Sequence, residues 1–325
     1  MNKAPPGEIA VVGAGAWGTA LAIQAARAGR PVTLWARDPI GAAEIERTRL
    51  NPRLPGIRLP GPIRVTPHLP AHAEAILLAV PMQHLRTVAA QLPPSAAPLI
   101  VCAKGVEATT LRLPLEILAE IQPNRAAFVL TGPNFAREVA EGMPAAATLA
   151  GADAGARDRI MALLATASFR LYGNDDTVGA QLGGAAKNVI AIAAGAVIGA
   201  GLGENARAAL ITRSLAELSR LTLALGGRAE TVMGLSGLGD LLLTCTGPSS
   251  RNFSLGLALG RGERLEDILA SRAAVTEGVA TAPALVARAA TIDMPICSAV
   301  AALLAGRTTL AQAIADLLAR PRRDE

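Results

Sequence analysis

The sequence predicts an α/β fold that gives way to an all-helical second half. Two observations carry this. Short apolar runs without a polar face alternate with helical stretches through the first half. Long Ala/Leu-rich stretches with helical spacing fill the second. At 325 residues the chain is long enough for about two domains. Aromatic residues make up only 2%, against 51% hydrophobic residues. The core must therefore be built from Ala, Leu, Val and Ile, which disfavours a β-sandwich and any aromatic platform for nucleic acid.

The elements follow in order. Glu8–Val12 is a buried strand ending at Gly13, and a helix runs from Trp17 to Ala28 until Gly29 stops it. Further strands are expected at Pro31–Trp35, Ala75–Val80, Pro98–Ala103 and Ala126–Leu130, giving a parallel sheet covered on both sides. The Pro-rich stretch from Asn51 to Pro70 reads as an irregular excursion. Helices are expected at Gly184–Ala200, Asn205–Leu225, Leu265–Ala270, Pro283–Ala290 and Cys297–Leu304. The domains are thus expected at residues 1–179 and 180–325, and the tail Arg320–Glu325 as frayed.

Mean hydropathy is +0.37, which raises the question of a membrane segment. The uncharged stretch Ile9–Ala26 is punctuated by Gly13, Gly15 and Gly18. The uncharged Asn188–Gly203 is shorter than the ~20 residues of a membrane span and reads as a buried helix. No stable membrane insertion is expected. Three scattered cysteines, Cys102, Cys245 and Cys297, suggest a reducing, cytoplasmic setting. His68, His72 and His84 read as surface residues, and no metal site is expected. The net charge of +5 suits anionic small molecules, with no role in nucleic-acid binding expected.

Gly13-Ala-Gly15-Ala16-Trp17-Gly18 is a GxGxxG string between a predicted strand and a helix, the context of a Rossmann-type dinucleotide-binding domain. Gly13 permits the tight turn. Gly15 admits the pyrophosphate to the helix N-terminus, and Gly18 lets helix and strand pack closely. Arg37, at the end of the second strand, could pair with a 2′-phosphate, which favours NADPH; the adjacent Asp38 keeps NAD open. In the second half, Lys187 and Asn188 interrupt an apolar stretch, Asp240 is placed in a loop before Leu241, and Ser250-Arg251-Asn252 offers donors for a phosphate monoester.

These strings together resemble bacterial NAD(P)-dependent glycerol-3-phosphate dehydrogenases. The shared strings include GAGAWGTALA from Gly13, KGVE from Lys104, GPNFAREVAEGMPAA from Gly132, QLGGAAKNVIAIAAG from Gln181, GLSGLGDLLLTCTGPSSRN from Gly234 and TEGVATA from Thr276. The resemblance implies hydride transfer between NADPH or NADH and dihydroxyacetone phosphate, giving sn-glycerol 3-phosphate for phospholipid synthesis. It implies Lys187 as catalytic acid/base, aided by Lys104 and Asp240. It implies substrate contacts at Lys104, Gly132, Asn134, Lys187, Asp240, Ser250, Arg251 and Asn252. Cofactor contacts beyond the glycine turn and Arg37 would come from Ala16, Trp17, Lys104, Ala136, Arg251, Val275 and Glu277. Asn134 stands where relatives often carry Thr or Ser, and Ala16 where they often carry Ser. A homodimer is expected from the apolar helical half. The competing reading is another two-domain NADP-dependent dehydrogenase, of the hydroxyacid or sugar-acid type. A cofactor-sensing protein without turnover would lack Lys187 or Lys104, and both are present.

Overall fold

The structure, a computed structural model, describes residues 7–272 and 275–321. It divides into two compact units. One comprises residues 1–104 and 113–180, the other residues 105–112 and 181–325. Because residues 105–112 group with the second unit, the division is not a single cut in the chain.

The first unit holds strands β1 (Ile9–Val12), β2 (Val32–Trp35), β3 (Ile63–Thr66), β4 (Ala75–Leu78), β5 (Leu99–Val101), β6 (Ala127–Thr131), β7 (Ala145–Ala150) and β8 (Phe169–Asn174). Its helices are α1 (Ala16–Arg27), α2 (Pro39–Thr48), α3 (Leu85–Ala90), α4 (Pro114–Ile121), α5 (Ala136–Glu141) and α6 (Ala154–Leu164). The strands form one sheet in the order β3-β2-β1-β4-β5-β6-β7-β8. Strand order reverses between β1 and β4, the switch point at which ligands bind in doubly wound sheets.

Strand alternation explains why the sheet is covered on both faces. Ile9 and Val11 of β1 join Leu21 and Ile23 of α1 in one core layer. Ala10 and Val12 point the other way, into a layer with Leu85 and Val88 of α3 and Ile117 of α4. With β1, β2 and β4 buried along their whole length, no polar face is left to write into the sequence.

Two expectations are corrected. The Asn51–Pro70 stretch is not wholly irregular, since β3 forms within it and extends the sheet beside β2. The sheet is also not purely parallel, because β7 runs antiparallel to β6 before β8 resumes parallel to β7. Strands β7 and β8 carry mixed burial and escape a search for continuous apolar runs.

The second unit is helical. Its elements are α7 (Thr177–Gly199, most of it in this unit), α8 (Gly203–Ala224), α9 (Ala229–Val232), a π-helical turn (Leu235–Gly239), α10 (Asp240–Cys245), α11 (Arg251–Gly260), α12 (Leu265–Ala270), α13 (Glu277–Ala289), α14 (Pro295–Leu304) and α15 (Leu310–Leu318). Helix α7 is the one described helix long and apolar enough to cross a membrane, and 78% of its apolar window is buried inside the protein. Glu217 of α8 is buried and accepts from the backbone N–H groups of Ile296 and Cys297, capping α14. Burial pushes that carboxyl up to about 7. Arg320 pairs with Asp293 at 2.6 Å, so the tail is held at its start; residues 322–325 lie outside the described residues.

Helices α7 and α11 meet backbone to backbone. A Cβ on Gly195 would lie 2.0 Å from the Phe253 carbonyl oxygen, and one on Gly256 would lie 1.9 Å from that of Ile192. Neither backbone can yield without disturbing a whole helix. Gly256→Val is therefore expected to destabilise the helical unit by about 1–3 kcal/mol. Calorimetry should show Tm lowered by roughly 3–8 °C.

Candidate active site

In the first unit the glycine turn sits at the switch point. Gly13 adopts φ +118°, and a Cβ there would lie 2.6 Å from the Ala79 carbonyl oxygen at the end of β4. A Cβ on Gly18 would lie 1.8 Å from the Gly13 carbonyl oxygen, so α1 can approach β1 only without side chains. Gly15 is different. It is exposed, and a Cβ there would meet nothing within 4 Å. The turn is thus tight where it packs and open where a ligand would approach.

Gly15 caps α1 without a side-chain hydrogen bond, leaving the first-turn N–H groups to an anion. Ala16 and Trp17 open the helix. The Trp17 indole N–H is buried without a protein partner, an orphan donor beside this turn. These features fit a dinucleotide. Its pyrophosphate would sit against the turn from Gly13 to Gly18.

Arg37 lies exposed just past β2. Its neighbour Asp38 is the N-cap of α2, accepting from the N–H groups of Ile40 (3.2 Å) and Gly41 (3.0 Å). Lys104 donates from Nζ to the carbonyl oxygen of Gly132 at 3.1 Å. Asn134 donates to the Ala146 carbonyl oxygen at 2.9 Å, while its own buried Oδ1 has no protein partner. Ala136 begins α5. Lys104, Gly132 and Asn134, distant in sequence, are thereby brought to one end of the sheet.

In the second unit the centre is an ion pair. Lys187 Nζ donates to Asp240 Oδ1 at 2.9 Å and to Thr244 Oγ1 at 3.0 Å. The side chains are 13% and 1% exposed for Lys187 and Asp240. Thr244 in turn donates its hydroxyl proton to the Asp240 carbonyl oxygen at 2.6 Å, so its lone pair is oriented toward the ammonium. Two of the three ammonium N–H groups are thus engaged among the described residues.

Asp240 is not in a loop, as its glycine-rich approach suggested. It opens α10 directly after the π-helical turn. Gly183 and Gly237 make this possible. A Cβ on Gly183 would fall 2.2 Å from the Ser236 carbonyl oxygen, so the turn lies against α7. The neighbouring Cys245 is buried, which pushes its thiol up to about 12 and leaves it no nucleophile near neutrality.

Ser250, Arg251 and Asn252 are at the start of α11. The Ser250 hydroxyl caps the helix, accepting from Phe253 N–H at 3.2 Å. Arg251 is exposed at the first helical position. Asn252 is buried; its Nδ2 donates to Asn188 Oδ1 at 2.8 Å, and its Oδ1 accepts from Gly278 N–H at 3.0 Å. Asn252 therefore ties α7, α11 and α13 together. Val275 is exposed before α13, and Glu277 is the first residue of that helix. Among the described residues no group of His, Cys, Asp or Glu could hold a metal ion. The sequence marks Asn188 only as a polar break in an apolar stretch and gives Thr244 no site role. The i,i+4 spacing of Asp240 and Thr244 on a helix is the signal that would have found Thr244.

The chain is similar to known proteins along nearly its whole length. Residues 8–156 match the N-terminal part, and residues 176–315 the C-terminal part, of NAD-dependent glycerol-3-phosphate dehydrogenase. A glycerol-3-phosphate dehydrogenase [NAD(P)+] of Acidiphilium cryptum is 58% identical over 98% of this chain and 98% of its own length. One from Gluconobacter oxydans is 55% identical over 96% and 97% respectively. Among solved structures, a glycerol-3-phosphate dehydrogenase from Coxiella burnetii is 36% identical with a TM-score of 0.93, covering 98% of this chain and 100% of that one. Matched in order in both of its units, the chain belongs to the NAD-dependent glycerol-3-phosphate dehydrogenase family.

Proposed function

We propose that the chain is an NAD(P)-dependent glycerol-3-phosphate dehydrogenase that interconverts dihydroxyacetone phosphate and sn-glycerol 3-phosphate, supplying phospholipid synthesis. The observation that carries this reading is the Lys187 ammonium, held by Asp240 and Thr244 in an otherwise aliphatic helical unit.

The nicotinamide, when bound, supplies or accepts the hydride. The chain's own groups handle the charge and the proton. As the ketone is reduced, negative charge grows on its oxygen. The free N–H of Lys187 stabilises that charge and delivers the proton; in the reverse direction the neutral amine takes the proton back. Asp240 and Thr244 aim the group and keep it from swinging out to solvent. Lys104, Gly132 and Asn134 are assigned to the substrate, with Lys104 also contacting the cofactor. Ser250, Arg251 and Asn252 are assigned to its phosphate, the exposed Arg251 as the ionic clamp that also faces the cofactor. Ser250 accepts the Phe253 N–H with its hydroxyl oxygen and keeps its own proton to donate, and Asn252 uses one of its two amide protons on Asn188.

The turn from Gly13 to Gly18, with Ala136, Val275 and Glu277, is assigned to the cofactor. We assign the dinucleotide turn to a domain of residues 1–179, and Lys187 with the phosphate-binding residues to a helical substrate domain of residues 180–325. NADPH is the favoured cofactor. The Asp38 carboxylate is occupied in capping α2, while the Arg37 guanidinium is exposed and available to a 2′-phosphate. A cytoplasmic location is supported by three buried cysteines that form no disulfide. A homodimer is supported by exposed apolar residues of the helical unit, Leu202, Leu223 and Met233.

The direct test is loss of nicotinamide absorbance when dihydroxyacetone phosphate is added to enzyme and NADPH. Lys187→Ala is expected to lower kcat by roughly 10²–10⁴-fold while calorimetry finds NADPH binding within about twofold of wild type. Turnover that survives the substitution would remove Lys187 from the chemistry. Arg251→Ala is expected to raise KM for dihydroxyacetone phosphate by roughly ten- to a hundredfold, with a smaller effect on kcat. For Arg37→Ala, kcat/KM should fall about tenfold with NADPH and stay unchanged with NADH. Equal losses with both cofactors would count against the 2′-phosphate contact.

A further inference from the structure

One side chain of the Pro-rich segment is built into the cofactor turn. Asn51 is 2% exposed, although it follows α2 in an irregular stretch of chain. Its Nδ2 donates to the Ala14 carbonyl oxygen at 3.0 Å and to Thr19 Oγ1 at 2.7 Å. Its Oδ1 accepts from the Arg53 N–H at 2.9 Å. The amide orientation is fixed twice over. The Ala14 oxygen can only accept and the Arg53 N–H can only donate, so the flipped amide would set like against like at both ends.

The segment that carries Asn51 is itself anchored. Leu54 and Leu59 are buried in the core layer beneath α1, and Leu50 bridges to Arg58 across the loop. Asn51 therefore reaches the turn from a braced loop.

The consequence follows from peptide geometry. In a trans peptide the carbonyl and the following N–H point in opposite directions. Holding the Ala14 carbonyl against Asn51 turns the Gly15 N–H away from Asn51. Gly15 is exposed and open to approach, and no side chain caps the helix behind it. We propose that Asn51 is a positioning residue: it locks the Ala14–Gly15 peptide so that the Gly15 N–H is presented to the cofactor pyrophosphate. This rests on the assignment of the turn to the cofactor made above. Without Asn51, the Ala14 carbonyl is free to rotate toward the open side, where its partial negative charge opposes a phosphate.

The test compares wild type, Asn51→Ala and Thr19→Val, with NADPH and NADH titrated by calorimetry. KM for dihydroxyacetone phosphate is measured at saturating cofactor, and Tm for each protein. Asn51→Ala is expected to weaken dinucleotide binding roughly tenfold or more, with KM for dihydroxyacetone phosphate within about twofold. Thr19→Val, which leaves the Ala14 contact in place, is expected to weaken it less. Unchanged affinity in Asn51→Ala would overturn the proposal, as would parallel losses for cofactor and substrate, the mark of general loosening. Should Asn51→Ala fail to fold, Asn51→Asp carries the test. It keeps the bond from Arg53 but faces the Ala14 carbonyl with an acceptor, and affinity should fall further at high salt as well as low. If the wild type binds neither dinucleotide, the assignment of the turn fails; if it binds and Asn51→Ala binds equally well, only the role of Asn51 fails.

Discussion

Close approach of bare backbone is the constraint on which this molecule depends. A core with so few rings cannot fill space with bulk, yet protein interiors reach crystal-like density. The solution is to bring main chains together. Gly195 and Gly199 of α7 face Gly256 and Gly260 of α11 at distances no Cβ would allow. The same device presses the π-helical turn onto α7 at Gly183 and onto α9 at Gly237, and Asp240 is the next residue after that turn. The Lys187–Asp240 contact is thus a product of glycine packing as much as of charge. In the α/β unit, Gly13 and Gly18 perform the same function against β4 and β1.

Charge placed in such a setting is expensive, and the helical unit manages it economically. The Asp240 carboxylate is almost wholly removed from water and faces the Lys187 ammonium, with Thr244 relaying between its backbone oxygen and the same ammonium. A buried pair of this kind contributes little to net stability; removing one member is what costs. Its value lies in fixing where an ammonium points. The helix caps elsewhere follow the same logic on a smaller scale, with Asp38, Asp153, Ser250 and Thr309 each satisfying first-turn N–H groups.

Much of this was legible in the sequence, for physical reasons that can be named. Strands buried on both faces write continuous apolar runs, so β1, β2, β4, β5 and β6 were readable. Strands β3, β7 and β8 have exposed or mixed positions and were not. The Ala/Leu-rich texture marks a helix only over Pro283–Ala290. In fact α13 begins at Glu277 and carries Pro283 in its interior. Lys187 stood out because a charge in an apolar stretch needs a reason. The Asn51 amide did not, because its partners Ala14 and Thr19 lie more than thirty residues away and neither is chemically conspicuous. Likewise Asp240 looked like a loop residue among glycines, when those glycines were there to let a turn pack against a helix.

The scarcity of rings also decides how the molecule can be watched. The chain has two tryptophans, and both belong to the α/β unit: Trp17 on α1 beside the glycine turn, and Trp35 at the end of β2, its indole N–H bonded to the Pro67 carbonyl oxygen. The helical unit has none. Tryptophan emission is therefore a native reporter of the glycine turn and is silent on the helical unit, so an unfolding curve followed by fluorescence describes one half of the protein and must be paired with circular dichroism to describe the other.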